Sequence, residues 1–354
     1  MDVHAETIGS PGSRSVDHVR RGAFDLVEPA ATFGIGPLPH RSARDAAVFS
    51  FDAFDVPAIP SLPRRSPAES SIAQALSGVP GVSGVHHGTV EVDRLDPGAP
   101  VETDVHSESF VGFRAFLDEA RRRQYTGPVK WQFAGPVSVG IALVRAGAPP
   151  SVAFEVAASA VSGHLRALAD EVTGALPGVQ QLVVLDEPLI AGFFGNDFPI
   201  DPDGAIDIVS TAMASIEDRV TTGLHTCSAT AACALVEAGP QLLSLPVSES
   251  VLDSVGRLET FLQRGGRIAW GAVATEGPIG VTSTRSWHRL SMIWCDLVNR
   301  GCDAERLRQQ SLLTPQCGLA GHSNAVAERV CLILRDVSRS VRSSAAAARL
   351  LLGG

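Results

Sequence analysis

Aromatic residues are scarce in this chain: they make up 5% of 354 residues, with one tyrosine and four tryptophans. That argues against a stacking platform for single-stranded nucleic acid, which needs successive rings along a groove. Basic charge is short as well. Lys and Arg number 29 against 38 Asp and Glu, for a formal net charge of −9. Nucleic acid and anionic membrane surfaces both require a basic footprint, so neither is the expected partner. No apolar run approaches the roughly 18 residues of a membrane span. The opening "MDVHAETIGSPGSRSVDHVRRG" lacks the apolar core of a signal peptide, and a cytoplasmic protein is expected. Six cysteines, at 227, 233, 295, 302, 317 and 331, are too sparse and too uneven for a disulfide framework. In the cytosol, a cysteine near a histidine reads as a metal ligand or a reactive thiol.

What is present is a core-forming composition, 45% hydrophobic and 19% charged, as in ordinary globular proteins. Residues 1–28 are polar, rich in Gly and Ser and without period, and read as a loose arm. Residues 29–345 read as one domain. Short β-rich runs alternate there with longer helical stretches. The runs are "ATFGIG" (31–36), "VPAIP" (56–60), "VKWQFAG" (129–135), "QLVVLD" (181–186), "RVTTGLH" (219–225), "LLSLPV" (242–247), "RIAWGAVA" (267–274) and "LLTPQC" (312–317). Several are apolar nearly throughout, as parallel strands covered on both faces are. Between them, helical periodicity runs over 109–124, where Phe110, Phe113, Phe116 and Leu117 share a face, and over 149–176 and 250–266. The alternation predicts an α/β fold, a (β/α)8 TIM barrel. A doubly wound open sheet is the alternative, weakened by the lack of a G-x-G-x-x-G turn after the first strand. The long stretch 61–108 reads as a hairpin or an extended loop over the barrel mouth.

In a barrel, active residues sit where strands end. His225 and Cys227 lie two residues apart at one predicted strand end, which can present both to one point. Imidazole nitrogen and thiolate sulfur are preferred ligands of Zn²⁺. Cys317 ends another predicted strand, 90 residues on. One His and two Cys leave a fourth position open, which is the arrangement of a catalytic zinc site. The alternative stands beside it: H-x-C recurs by chance, and free Cys is often a small buried hydrophobe. Cys233, Cys295, Cys302 and Cys331 fall in helical stretches and are assigned to core packing. The pair His86-His87 reads either as metal-binding or as an exposed loop pair.

Four stretches, in this order, resemble the catalytic barrel of cobalamin-independent methionine synthase: "ATFGIGPLPH", "VVLDEP", "GLHTCS" and "LLTPQCGLAGHS". The likeness is strongest to short, single-barrel members of that superfamily, and "KWQFAGPVSV" resembles the family's T-G-P-V-T stretch. The resemblance implies a TIM barrel, with His225, Cys227 and Cys317 as zinc ligands and Asp186 as the carboxylate that holds the amino group of the thiol substrate. It implies methyl transfer from a folate to homocysteine, giving methionine. The chain departs from the pattern in places. Pro246 stands where the family has its fourth ligand, a Glu, so that Glu249 or Glu276 is the substitute expected, and Pro37 replaces a Ser. No match is found for the folate-stacking Trp or for the second carboxylate that helps hold homocysteine, and no folate-binding half precedes the barrel.

These readings combine into a zinc-dependent S-methyltransferase acting on a small thiol, with methylfolate or methylcobalamin as donor. Gly36, Arg41, Asp186 and Glu187 are the candidate substrate contacts, and Asp186 and His322 the candidate catalytic groups. For Glu187 a structural role is favoured. Arg41 reads equally as half of a surface ion pair, and His322 as packing at a helix N-terminus. A corrinoid protein and a second copy of the chain stay open as partners. Competing classes are alkyl transfer to or from another thiol, a zinc-free lyase of the uroporphyrinogen-decarboxylase type, and a non-catalytic thiol- or metal-binding homologue.

Overall fold

The structure, a computed structural model, describes residues 22–351 apart from 87, 88, 191 and 196; of residue 86 and residues 345–351 it describes the backbone alone. Most of the expected arm, and the side chains of His86 and His87, therefore lie outside the described residues. Residues 22–28 belong to the body of the protein. Ala23 and Val27 are buried there around a short 3-10 turn, Ala23–Leu26.

Helix α1 (Ala43–Ala53) opens on Ser42, whose hydroxyl accepts from the Asp45 amide. Helix α2 (Ser71–Leu76) and an antiparallel hairpin, β1 (Val82–His86) with β2 (Thr89–Val92), occupy the stretch expected to form a hairpin or loop. The amphipathic helix α3 (Val111–Arg122) buries Phe113, Phe116 and Leu117, with Phe110 buried just before it. From there strands and helices alternate. Strand β3 (Val129–Ala134) leads to α4 (Pro136–Arg145) and α5 (Pro150–Ala175), β4 (Gln181–Asp186) to α6 (Pro202–Ala214), and β5 (Thr221–His225) to α7 (Ala229–Leu235). Strand β6 (Leu242–Pro246) leads to α8 (Val255–Gln263), β7 (Arg267–Val273) to α9 (Thr284–Asn299) and α10 (Ala304–Gln309), and β8 (Ser311–Pro315) to α11 (Asn324–Leu351).

Strands β3 to β8 form one parallel sheet in sequence order. The expected first and second strands are present as segments held by isolated parallel bridges: Thr32 to Leu313 of β8, Phe33 to Val56, and Ala58 to Lys130 of β3. The bridges run from one edge of the sheet to the other, so the sheet is curled. Prolines interrupt pairing within 56–60 and just past 31–36. Pro37, Pro39, Pro57 and Pro60 supply no amide donor, and a ladder fails where donors are missing. A side chain replaces part of it. The Ser50 hydroxyl donates to the Ala58 carbonyl at 2.6 Å and accepts from the Ala58 amide at 2.8 Å.

Each face of the sheet has its own core. Val183 and Leu185 of β4 join the large core shared with the helices, whereas Leu182 and Val184 point the other way. There they meet Ala31, Phe33, Val56, Leu242, Ala269 and Leu312 in a small core inside the curl. Cys233 and Cys331 pack in helices as expected, but Cys295 is exposed on α9, and Cys302 is buried in the turn before α10 rather than in a helix.

Replacing Ser50 by Ala leaves the buried amide and carbonyl of Ala58 without their partner. A loss of about 1–3 kcal/mol is expected, measured by urea unfolding, together with faster hydrogen exchange at the Ala58 amide.

Candidate metal centre

The pairing register sets the site. Ala134 is opposite Asp186, Asp186 opposite His225, and His225 opposite Ser244. One row of side chains thus crosses the carboxyl ends of β3 to β6, and two further loops deliver Cys227 and Cys317. The ligand atoms of His225, Cys227 and Cys317 all lie within 4.8 Å of one another, the only such group of three or more His, Cys, Asp or Glu among the described residues. The Cys227 and Cys317 sulfurs are 3.4 Å apart, and His225 Nε2 is 3.9 Å from the Cys227 sulfur. Tetrahedral zinc with ordinary bond lengths would space two sulfurs by about 3.8 Å, and sulfur and nitrogen by about 3.6 Å. The three groups fit such an ion with small adjustments.

The ring of His225 is buried, Cys317 is half-buried and Cys227 is exposed. The nitrogen is therefore rooted in the sheet, while the sulfurs face the opening. His225 Nδ1 lies 2.9 Å from the Ser244 hydroxyl. A ring that donates from Nδ1 to Ser244 turns its Nε2 lone pair toward the thiols. The groups also share protons. Donors from Cys227 and then His225 hold the Cys317 thiol well below its ordinary value, while the Cys227 thiol, donating to Cys317, is pushed up from its own.

Asp186 is 8% exposed at the end of β4, and its Oδ2 accepts from Gln132 Nε2 at 3.0 Å. Burial raises its pKa, the charge of His225 lowers it, Cys317 raises it, and Lys130 and Gln132 lower it. Gly36 touches the same amide. A Cβ at Gly36 would come within 2.9 Å of Gln132 Cγ and Cδ. The loop after Gly36 reaches the rim, where the Leu319 amide donates to the Pro37 carbonyl at 2.8 Å beside Cys317 and Gly318.

The other expected residues lie elsewhere. Glu187 is wholly buried and faces helix α4 rather than a substrate. It accepts from the amides of Val137 at 3.0 Å and Ser138 at 2.6 Å, capping the helix N-terminus. Gly135 leaves room for it, since a Cβ there would sit 2.1 Å from Glu187 Oε1. Burial pushes the Glu187 carboxyl up to about 7, opposed by those donors. Glu249 is exposed and opens a 3-10 turn capped by Ser248, which carries it away from the thiols; it is no fourth member of the group. Glu276 is exposed too, although its charge helps raise the Cys227 pKa. His322 bonds through Nε2 to the Thr275 carbonyl at 2.8 Å, tying the loops after β7 and β8 together. It stands outside the cluster. Arg41 is exposed before α1, and no hydrogen bond or ion pair among the described residues ties it to the cluster.

No protein-family model matches the chain, and no curated protein matches it in sequence. Its architecture does have a solved counterpart. The fold is shared with a B12-independent methionine synthase. That protein, from Shewanella sp. W3-18-1, was solved in complex with selenomethionine. The match has a TM-score of 0.62 at 15% identity and covers 91% of this chain and 100% of the other. No helix among the described residues is long and apolar enough to cross a membrane.

Sequence reasoning missed Ser244, Gln132 and Lys130. The last two break the apolar run of β3 at alternate positions, which places both on one face. Lys130 is the only lysine in the chain. It is wholly buried, and burial pulls its pKa down to about 7 while Asp186 pulls it up.

Two outcomes are expected. Glu187→Ala strands two buried amide donors and costs about 2–4 kcal/mol by urea unfolding. The unfolded chain keeps the Lys130 proton up to its ordinary pKa of 10.5, whereas the native protein releases it near 7. Wild-type stability therefore rises with pH across that window, by up to ~1.4 kcal/mol per pH unit. Lys130→Met should show a smaller rise than wild type when unfolding is compared at about pH 6 and about pH 9, the difference being the lysine's share.

Proposed function

We propose that this chain is a zinc-dependent S-methyltransferase that transfers a methyl group to a small thiol. The acceptor is homocysteine, and methionine is the product. The two bridged segments serve as the first two strands of a (β/α)8 barrel whose mouth carries the site. The observation that carries this reading is the convergence of His225, Cys227 and Cys317 at strand ends, with ligand atoms within 4.8 Å of one another.

His225, Cys227 and Cys317 would hold the ion. Bound zinc makes a coordinated thiol a thiolate at neutral pH, and the thiolate is the form that attacks carbon. Ser244 holds the imidazole in its working orientation. Asp186 stands level with His225 and supplies a carboxylate for an ammonium group, so an amino-acid thiol can be held at both ends. The fold neighbour was solved in complex with selenomethionine, which supports an amino-acid ligand. The methyl donor is a methylfolate-like compound or methylcobalamin, and the cytoplasm is the proposed location. One observation favours a second reading, a non-catalytic thiol- or metal-binding homologue: among the described residues no carboxylate joins the three ligand atoms.

Purified protein is expected to hold about one zinc per chain. Cys317→Ser should lose most of it, and Ser244→Ala should bind it roughly 10–100-fold more weakly. Wild type that neither carries nor takes up zinc defeats the proposal. Methionine formation from homocysteine with methylfolate or methylcobalamin separates the enzyme from the non-catalytic homologue.

A further inference from the structure

The chain's single lysine is placed where lysines are rarely found. Lys130 is 0% exposed, on the face of β3 that looks into the curl of the sheet. Its Nζ donates to the Gly34 carbonyl at 3.0 Å and to Gln132 Oε1, with the Phe33 ring 5.8 Å away. Burying an ammonium is costly, and an apolar side chain of similar volume commonly serves stability as well or better. Packing alone does not account for it.

Its neighbours supply the account. Because Nζ donates to Oε1, the Gln132 amide presents its oxygen to Lys130 and its NH₂ points the other way. That NH₂ donates to Asp186 Oδ2 at 3.0 Å. Gly36 closes a further side, since its backbone lies so near Gln132 that a Cβ would collide. The amide is held by the lysine Nζ on one side, a carboxylate on the other and a backbone against its flank. Asp186 is then engaged through Oδ2, which leaves Oδ1 for a ligand.

We propose that Lys130 is a positioning residue: acting through Gln132, it fixes the orientation of the Asp186 carboxylate and so makes the site select thiols that carry an ammonium group over thiols that lack one. The inference rests on the reading above, in which a thiol binds at His225, Cys227 and Cys317.

Having only one lysine makes the test direct. Protein grown on lysine labelled with ¹³C at Cε gives one side-chain resonance, that of Lys130. Asp186→Asn and Gln132→Leu should each shift it. In the wild type, L-homocysteine should shift it, and 4-mercaptobutyrate, the same thiol without the amine, should not. By calorimetry on the zinc-loaded protein, Lys130→Met should bind homocysteine about tenfold more weakly and 4-mercaptobutyrate unchanged. Lys130→Met/Gln132→Leu should discriminate no worse than Gln132→Leu alone, because the lysine acts through the amide. A resonance unmoved by Asp186→Asn, or full discrimination retained in Lys130→Met, overturns the inference. If Lys130→Met does not fold, the resonance experiments decide. Wild type that binds zinc but neither thiol refutes the proposed function, whereas the resonance shift in Asp186→Asn still judges the coupling from Lys130 to Asp186.

Discussion

The parallel pairing of Asp186 with His225, and of His225 with Ser244, is the constraint on which the rest depends. In a parallel sheet, residues at one level on neighbouring strands share a face, and a slip of one position would turn every side chain over. The register that buries Leu182, Val184 and Leu242 in the inner core also lines up a carboxylate, an imidazole and a hydroxyl at the carboxyl ends. Core packing and site geometry are therefore one requirement. The strands cannot be repacked without moving His225, and His225 cannot slip without exposing the inner core.

Asp186 and Glu187, adjacent in sequence, show how sharply that alternation divides roles. Asp186 ends β4 on the inner face, near His225, Cys317 and Lys130, whose charges all act on it. Glu187 points to the other side and is consumed by two amides at the start of α4. Both are buried carboxylates, and burial raises both pKa values. The difference lies in their partners. Backbone donors at a helix end complete one of them, whereas the other, among the described residues, receives a single hydrogen bond, from an amide that is itself held by the buried lysine.

The proposed metal centre combines a rigid part with a more accessible one. His225 is fixed by strand and hydroxyl, while the two cysteines come from loops and reach the surface. Such a division suits a site that must hold an ion firmly and still admit a ligand. The likeness to a B12-independent methionine synthase is a likeness of fold at 15% identity. The chemistry proposed for the site belongs to this chain's own nitrogen and sulfurs.

The amino-acid order alone determined much here. Apolar runs marked the six sheet strands to within a residue or two, because strands covered on both faces leave little room for polar residues. The H-x-C spacing and the distant Cys317 were legible because strand ends in this architecture converge. Tertiary structure decided the rest. Pro57 and Pro60 removed donors within segment 56–60, Pro37 ended the pairing of 31–36, and only the neighbouring backbone shows which bridges survive. The turn at Ser248 carried Glu249 to solvent, and Thr275 claimed His322. Lys130 stood in plain view in the sequence, yet its burial beside Gln132 depends on how far the sheet curls. That curl comes from contacts between residues far apart in the chain, which no local pattern encodes.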